Sequence, residues 1–290
     1  MSDTTKPDLS GVAETLLITL YIRAMESQRP DALIKDERAE ALVHQLDQET
    51  LRKTLALTDD FSRVAVILKG REFDRFAQDF LTRHPDAVVV HIGCGLDTRF
   101  ERTCAEQADN SQVEWYDLDL PDVIELRRRL IDGEGERHHL LACSVLESAW
   151  LETVSVHRSR PFLFLAEGVF MYFREAQVKS LVLTLRDRFP GAELVFDGYS
   201  PTHVWLHNFQ TGTLGGLART QWGIWHGEKL EKWGAASRSG AASRTGAGIH
   251  LLDEWGITDR AERRMARIRW WLRPLDTLFR TMRIYHFRLG

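Results

Sequence analysis

Apolar positions recur at helical spacing through the first quarter of the chain. "VAETLLITLYIRAMES" repeats large apolar residues every three or four positions, and Pro30 marks a break after it. "DERAEALVHQL" starts a second helix at Asp36, with Ala41, Leu42 and Leu46 on one face. "SRVAVILKGREFDRFAQDFLTRH" predicts a third helical region running to Pro85, with Gly70 as its weak point. After Pro85 the pattern changes to short apolar runs: "AVVVHI", "VEWYDL", "HLLACSV", "PFLFLAEG" and "AELVFDG". Helix-like segments such as "PDVIELRRRLID" and "EAQVKSLVLTLRDRF" lie between them. Buried-strand runs separated by helices predict a doubly wound α/β fold, a mostly parallel sheet with helices on both faces. Right-handed crossovers then put the strand ends, and any ligand, along one edge. "RIYHFRLG" alternates like a final strand, antiparallel to the others. The chain thus divides into a helical region, 1–84, and an α/β domain, 85–290, with an inserted lobe at 200–248. Within the lobe, "GAASRSGAASRTG" (234–246) repeats a six-residue unit without a large apolar residue, so 234–248 is expected to be a flexible surface loop.

Composition narrows the class. Of 290 residues, 43% are hydrophobic and 28% charged, with a net charge of −4, which gives no reason to expect nucleic acid or an anionic membrane as a global partner. No apolar run reaches membrane-spanning length, and the run at 16–22 follows acids rather than a basic region, unlike a signal peptide. Three cysteines without a CxxC pair favour a reducing compartment, so a cytoplasmic protein is expected. His203 and His207 sit four apart after the fifth apolar run, but no acid or cysteine accompanies them, and no metal is expected.

The chemistry concentrates in "HPDAVVVHIGCGLDTRF". A strand running into Gly93-Cys94-Gly95 is either a tight corner or a turn whose missing Cβ atoms let a cofactor approach the backbone. A dinucleotide fingerprint wants a third glycine where Thr98 stands, which disfavours NAD or FAD. The next strand ends in Asp117-Leu118-Asp119 before Pro121. An acid at that position can accept both ribose hydroxyls of an adenosine; the competing reading is a cap on the helix opened by Pro121.

"VVVHIGCGLDTRFER", "EWYDLDLPDVIELRRRL" and "PFLFLAEGVFMYF", in that order, resemble the leucine carboxyl methyltransferase family, and within it the bacterial branch of polyketide carboxyl O-methyltransferases. "LYIRAMESQRPDALIKDERAE" resembles the helical leader of that branch. The resemblance implies a class I methyltransferase, Rossmann-like fold whose helical leader packs on the cofactor edge and whose inserted lobe forms a lid. It also implies S-adenosylmethionine as methyl donor, with S-adenosylhomocysteine as product. Carried over, Gly93 and Gly95 match the glycine corner, Asp119 the ribose acid, and Glu167 a glutamate placed against the cofactor. Ser144-Val145 falls where other members carry Asp-Leu near the adenine; serine keeps a hydrogen bond but loses the charge. Where the family has an arginine for the methionine carboxylate, this chain has Lys69, with Arg71 as the alternative.

Methyl transfer to a carboxylate needs no general base, because that nucleophile is already ionised at pH 7. A hydroxyl acceptor would need one. Tyr172 and His203 are the candidate catalytic residues, Tyr172 equally placed for packing. Arg99 either anchors acids around the corner or forms a structural ion pair. Trp205, Trp222 and Trp225 suit a large apolar acceptor, or the small core of the lobe itself. The arginine-rich segment 260–284 fits an acidic carrier protein or a solvated helix face. The expected function is O-methylation of a carboxylate, or hydroxyl, of a small polyketide-like acceptor. The alternatives are a protein C-terminal carboxyl methyltransferase and a non-catalytic S-adenosylmethionine-binding sensor.

Overall fold

The computed structural model describes residues 12–46, 58–105, 112–131, 134–214, 219–236, 248–257 and 282–290. The strand runs alternate small stretches of β-branched residues with turn signals, and each becomes a strand. Among the described residues these are β1 (Val88–Ile92), β2 (Glu114–Asp119), β3 (His138–Ala142), β4 (Phe162–Ala166), β5 (Ala192–Tyr199), β6 (Ile249–Gly256) and β7 (Met282–Leu289). They form one sheet in the order β3-β2-β1-β4-β5-β7-β6. Strands β1 to β5 run parallel, and β7 is antiparallel to both β5 and β6. The strand order reverses between β1 and β4, so their carboxyl ends flank the switch point where a doubly wound sheet holds ligands.

Period-two alternation builds a core on each face of the sheet. Val88, Val90 and Ile92 join Phe162, Phe164 and Phe196 on one face, under α5 (Ala149–Ser155) and α6 (Glu175–Arg188). Val89 joins Leu163, Leu165 and Trp115 on the other, under Phe73, Phe76 and Phe80 of α3 (Asp60–Arg83). A third cluster packs α1 (Val12–Ser27) and α2 (Glu37–Val43) against α4 (Pro121–Leu130), through Leu17, Leu20, Leu42, Leu126 and Leu130.

The sequence reading needs four corrections here. Gly70 does not interrupt α3; a Cβ there would lie 3.3 Å from Ile34 Cδ1, so glycine serves close packing of the segment between α1 and α2. The apolar runs omit β6, whose pairing slips at Leu251/Asp253 and so loses the two-residue period that marks a strand. Gly234–Ala236 belong to α8 (Glu228–Ala236) rather than to a loop; the rest of the repeat, 237–246, lies outside the described residues, as does most of the arginine-rich segment. The inserted lobe contributes α7 (Pro201–Leu214) and α8, and Trp222 is buried in the main core, stacked 6.0 Å from Phe196, not facing a ligand. Among the described residues no helix is long and apolar enough to cross a membrane.

One ion-pair cluster ties the far end of the sheet to α3. Arg83 donates to both oxygens of Glu193 at 2.9 Å, and His286 of β7 lies 2.7 Å from the same carboxylate. Burial raises the Glu193 pKa, but His286 and Arg83 outweigh it and bring it down to about 2. A depressed carboxylate stabilises the fold above its unfolded pKa and loses that contribution as the pH falls through the folded value. The shift from 4.5 to about 2 corresponds to about 3 kcal/mol. Glu193→Gln is therefore expected to be less stable than wild type in urea at pH 6, with the gap shrinking by about 2 kcal/mol at pH 3. A gap independent of pH would contradict this assignment.

Candidate functional site

The site is built where β1 and β4 end. After Ile92 the chain turns through Gly93 (φ 66°) and Gly95 (φ 53°), both in the left-handed region that favours glycine. Protein side chains, not open space, face their Cα atoms: a Cβ on Gly93 would lie 2.3 Å from Val169 Cγ2, and one on Gly95 2.6 Å from Leu16 Cδ2. The glycines are thus required by φ and by close packing of α1 and of the turn after β4.

Asp119 closes the corner from the next strand. Its Oδ2 accepts from Gly95 N at 2.8 Å and its Oδ1 from Leu120 N at 2.7 Å. It does not cap α4, whose N-cap is Leu120 with no side-chain hydrogen bond, so the helix-cap reading fails. Burial raises its pKa against the pull of the Gly95 and Leu120 amides. Asp117 has a different task. Buried in β2, it binds Arg127 Nη2 at 2.5 Å, His138 Nε2 at 2.8 Å and Trp115 Nε1 at 2.9 Å. Burial pushes its carboxyl up, but Arg127 and the two histidines, His138 and His91, hold it well below the usual range.

A buried charge network fixes the corner from beneath. Arg99, 1% exposed, donates to Asp74 at 2.7 Å and Glu167 at 2.6 Å, and pairs with Asp97 at 3.0 Å. Arg102 binds Asp74, Asp97 and Asp36, and Arg23 of α1 reaches Asp36 at 2.9 Å and the Leu96 carbonyl at 2.8 Å. Thr98, in place of the third glycine, is fully buried and donates its hydroxyl to Asp36 at 2.7 Å. Asp36 also caps α2 by accepting from Ala39 N. A π-helical turn, Glu101–Ala105, follows Arg99, and Arg102 within it meets the same acids. Burial raises the Asp97 pKa, but Arg102, Arg99 and Arg23 drive it well below the ordinary value. Arg99 therefore acts as a structural hub that also fixes the direction of Glu167.

On the β4 side, Glu167 is followed by Gly168 at φ 70° and by a short 3₁₀ turn, Phe170–Tyr172. Lys69 of α3 lies 2.9 Å from Asp197 Oδ2 and 3.6 Å from Glu167 Oε1. Burial lowers the Lys69 pKa, but Asp197, Tyr199 and Glu167 more than offset it and keep the ammonium charged. Arg71, two residues further along α3, lines a cleft with Leu33, Lys35, Asp74, Gln78 and Arg102. Tyr172 and Tyr199 lie within electrostatic reach of Lys69 and Asp197; burial, then Tyr199, raise the Tyr172 phenol to about 12 despite Lys69. His203 of α7 stacks on Tyr199 at 4.8 Å; the side chain of His207 lies outside the described residues. At the pair expected near the adenine, Ser144 Oγ accepts from Leu146 N and the Val145 side chain is buried in the core; Leu120 and Leu146 are exposed apolar side chains next in sequence to Asp119 and close to Ser144.

Sequence reasoning missed Asp74, Asp97, Asp197 and Tyr199. Asp97 and Asp74 stood within quoted motifs, and their proximity to Arg99 was the missing signal. Asp197 and Tyr199 come from a strand read only as a core run.

Comparisons with known proteins accord with this geometry. The leucine carboxyl methyltransferase family matches residues 16–186. The chain is 35% identical over 251 residues to the tetracenomycin polyketide synthesis O-methyltransferase TcmP of Streptomyces glaucescens, covering 87% of this chain and 85% of that protein. It is 31% identical over 219 residues to the S-adenosyl-L-methionine-dependent methyltransferase dpfgK of Gibberella zeae, covering 71% of this chain and 72% of the relative. The fold is shared with a crystal structure of a DUF574 family protein from Streptomyces avermitilis, at a TM-score of 0.58 and 15% identity over 95% of this chain and 97% of that one.

The corner's packing is directly testable. Gly93→Ala adds the cost of a left-handed alanine to an overpacked contact with Val169, roughly 2–5 kcal/mol in all. Combining it with Val169→Ala should recover the overpacking part and leave the conformational part. Unfolding curves of both variants check this; no recovery in the pair would mean that the contact carries nothing.

Proposed function

Because this chain belongs to the leucine carboxyl methyltransferase family and is an S-adenosylmethionine-dependent methyltransferase, we propose that it methylates a carboxylate of a small, polyketide-like acceptor in the cytoplasm. The donor set at the switch point fits that methyl donor. Asp119 uses its two oxygens on Gly95 N and Leu120 N and keeps further lone pairs for a vicinal diol. Lys69 and Glu167 offer a cation and an anion 3.6 Å apart, the complement of an amino acid's carboxylate and ammonium. Leu120 and Leu146 supply apolar surface for a base, and Ser144 a lone pair. Arg23, Lys69, Arg99 and Arg102 face Asp36, Asp74, Asp97, Glu167 and Asp197, four cations against five carboxylates before Asp119 is added. That excess suits a cationic ligand.

When bound, S-adenosylmethionine supplies a sulfonium methyl to an in-line nucleophile, with the thioether leaving. The chain's part is to orient and to exclude water. Arg99 holds the direction of Glu167, and the Asp119 bridge holds the corner against β2. The carboxylate acceptor rests on the match to the leucine carboxyl methyltransferase family; Tyr172, whose phenol burial raises to about 12, would serve it as a hydrogen-bond donor rather than as a base. The small-molecule acceptor, rather than a protein terminus, rests on the similarity to TcmP.

Two measurements test the reading. By calorimetry the protein should bind S-adenosylmethionine and S-adenosylhomocysteine, and Asp119→Ala, checked for folding by melting, should lose roughly tenfold or more in affinity, about 1.5–3 kcal/mol per hydrogen bond to the charged acceptor. Product labelled on the methyl group should release methanol in mild alkali, as an ester does; alkali-stable label would mean an ether and a hydroxyl acceptor. No binding by the parent at millimolar ligand would remove the assignment.

A further inference from the structure

A lysine stands where the family resemblance expects an arginine, and the structure holds what compensates for it. An arginine presents a rigid planar fork, whereas an ammonium on four rotatable carbons has no preferred direction of its own. Lys69 is nevertheless aimed. Its Nζ is 2.9 Å from Oδ2 of Asp197, a β5 residue whose side chain is fully buried. The other oxygen of the same carboxylate, Oδ1, accepts from Gly168 N at 2.5 Å. One side chain on β5 therefore fixes both the lysine of α3 and the turn after β4, which carries Glu167. Gly168 sits at φ 70°, and a Cβ there would have Lys69 Nζ 3.8 Å away, so turn and ammonium are neighbours as well as co-tethered.

We infer that Asp197 is a positioning residue for cofactor binding: it aims the Lys69 ammonium and locks the Glu167-Gly168 turn, doing for a lysine what an arginine's geometry does unaided. The inference rests on the cofactor site proposed above and extends it to a residue that itself touches only protein. An ammonium has three donors. Asp197 takes one and Glu167 lies near a second at 3.6 Å, which leaves one for the methionine end of the ligand. The groups facing Lys69 are Asp197 and Tyr199 from β5, Glu167 from the turn after β4 and Tyr172 from the 3₁₀ segment. With Asp197 neutral, Glu167 is the remaining anion among them at neutral pH, and the lysine would swing towards it.

The test is a double-mutant cycle on S-adenosylhomocysteine affinity, read by calorimetry between pH 7 and 9.5. Asp197→Asn keeps an oxygen for Gly168 N and removes the charge that aims Lys69. It should weaken binding about tenfold at pH 7 at unchanged stoichiometry, the order of one charge-assisted hydrogen bond. The loss relative to wild type should grow towards pH 9.5, because Lys69 then titrates nearer its ordinary range; the ligand's own ammonium titrates alike in both proteins and cancels in that ratio. Lys69→Met should weaken binding to a similar extent, and Lys69→Met/Asp197→Asn should add less than about threefold to that, since residues acting through one another are not additive. The double variant also buries no unpaired charge, so it stays informative if Asp197→Asn alone folds poorly. Independent losses that multiply in the double variant, or a pH-flat loss in Asp197→Asn, would reduce Asp197 to a structural residue and overturn the inference. Unchanged affinity in Asp197→Asn would overturn it too. Failure of wild type itself to bind would instead remove the cofactor site, a result separable from all of these.

Discussion

Arg99 is the constraint on which the site depends. Its guanidinium lies at the switch point of the sheet, 1% exposed, stacked 5.3 Å over the Phe73 ring and bonded to acids from three parts of the chain. Asp74 comes from α3, Asp97 from the glycine corner and Glu167 from the end of β4. A charge buried this deeply is stabilising only with its partners in place, and removal of one partner typically costs about 3–5 kcal/mol. The network is therefore better understood as a fixture than as a source of stability: it makes one arrangement of corner, helix and turn much better than its neighbours. Arg102 and Arg23 extend the same fixture to α1 and α2 through Asp36 and Thr98.

The two acids of "DLD" show how one strand divides its labour. Asp117 points into the layer beneath the sheet edge, where Arg127, His138 and Trp115 satisfy it. Asp119, two residues on, reaches the edge itself and spends its oxygens on backbone amides. One is held well below the ordinary carboxylate range and the other is raised, because Arg127 is bonded directly to the first, whereas for the second burial outweighs the amides and the weaker pull of His91 and Arg127. The raised, amide-bound acid is the one with lone pairs left for a ligand.

Much of this was legible before any coordinates. Strands β1 to β5 and β7 followed from apolar runs bounded by turn residues, and the N-cap at Asp36 from its place before "ERAEALV". Strand β6 was not, because a bulge at Leu251/Asp253 destroys the alternation by which a strand is recognised. Thr98 was legible only as the lack of a glycine; its partner Asp36 lies 62 residues away, and no local pattern encodes that bond. The same holds for Lys69 and Asp197, separated by 128 residues. Lys69 and Arg71 were ambiguous as letters; the structure puts Lys69 beside Asp197 and Glu167, and Arg71 on a cleft with Asp74 and Arg102. Trp222 looked like ligand surface because tryptophan serves both roles, and only burial separates them.

The position of β7 has a consequence for how the sheet is completed during synthesis. It lies between β5 and β6, pairing Ala192 with Leu289 and Ile249 with that same leucine. β6 precedes β7, its sheet neighbour among the described residues, and until β7 is in place β5 has an open edge next to it. The four strands on the other side of β5 can pair in order of appearance, but this flank cannot grow strand by strand. For the interval between β6 and β7 the nascent chain carries the exposed edge of β5 with Leu194 and Phe196 beside it, a template for pairing with another chain. That edge stays open until β7 itself has left the ribosome.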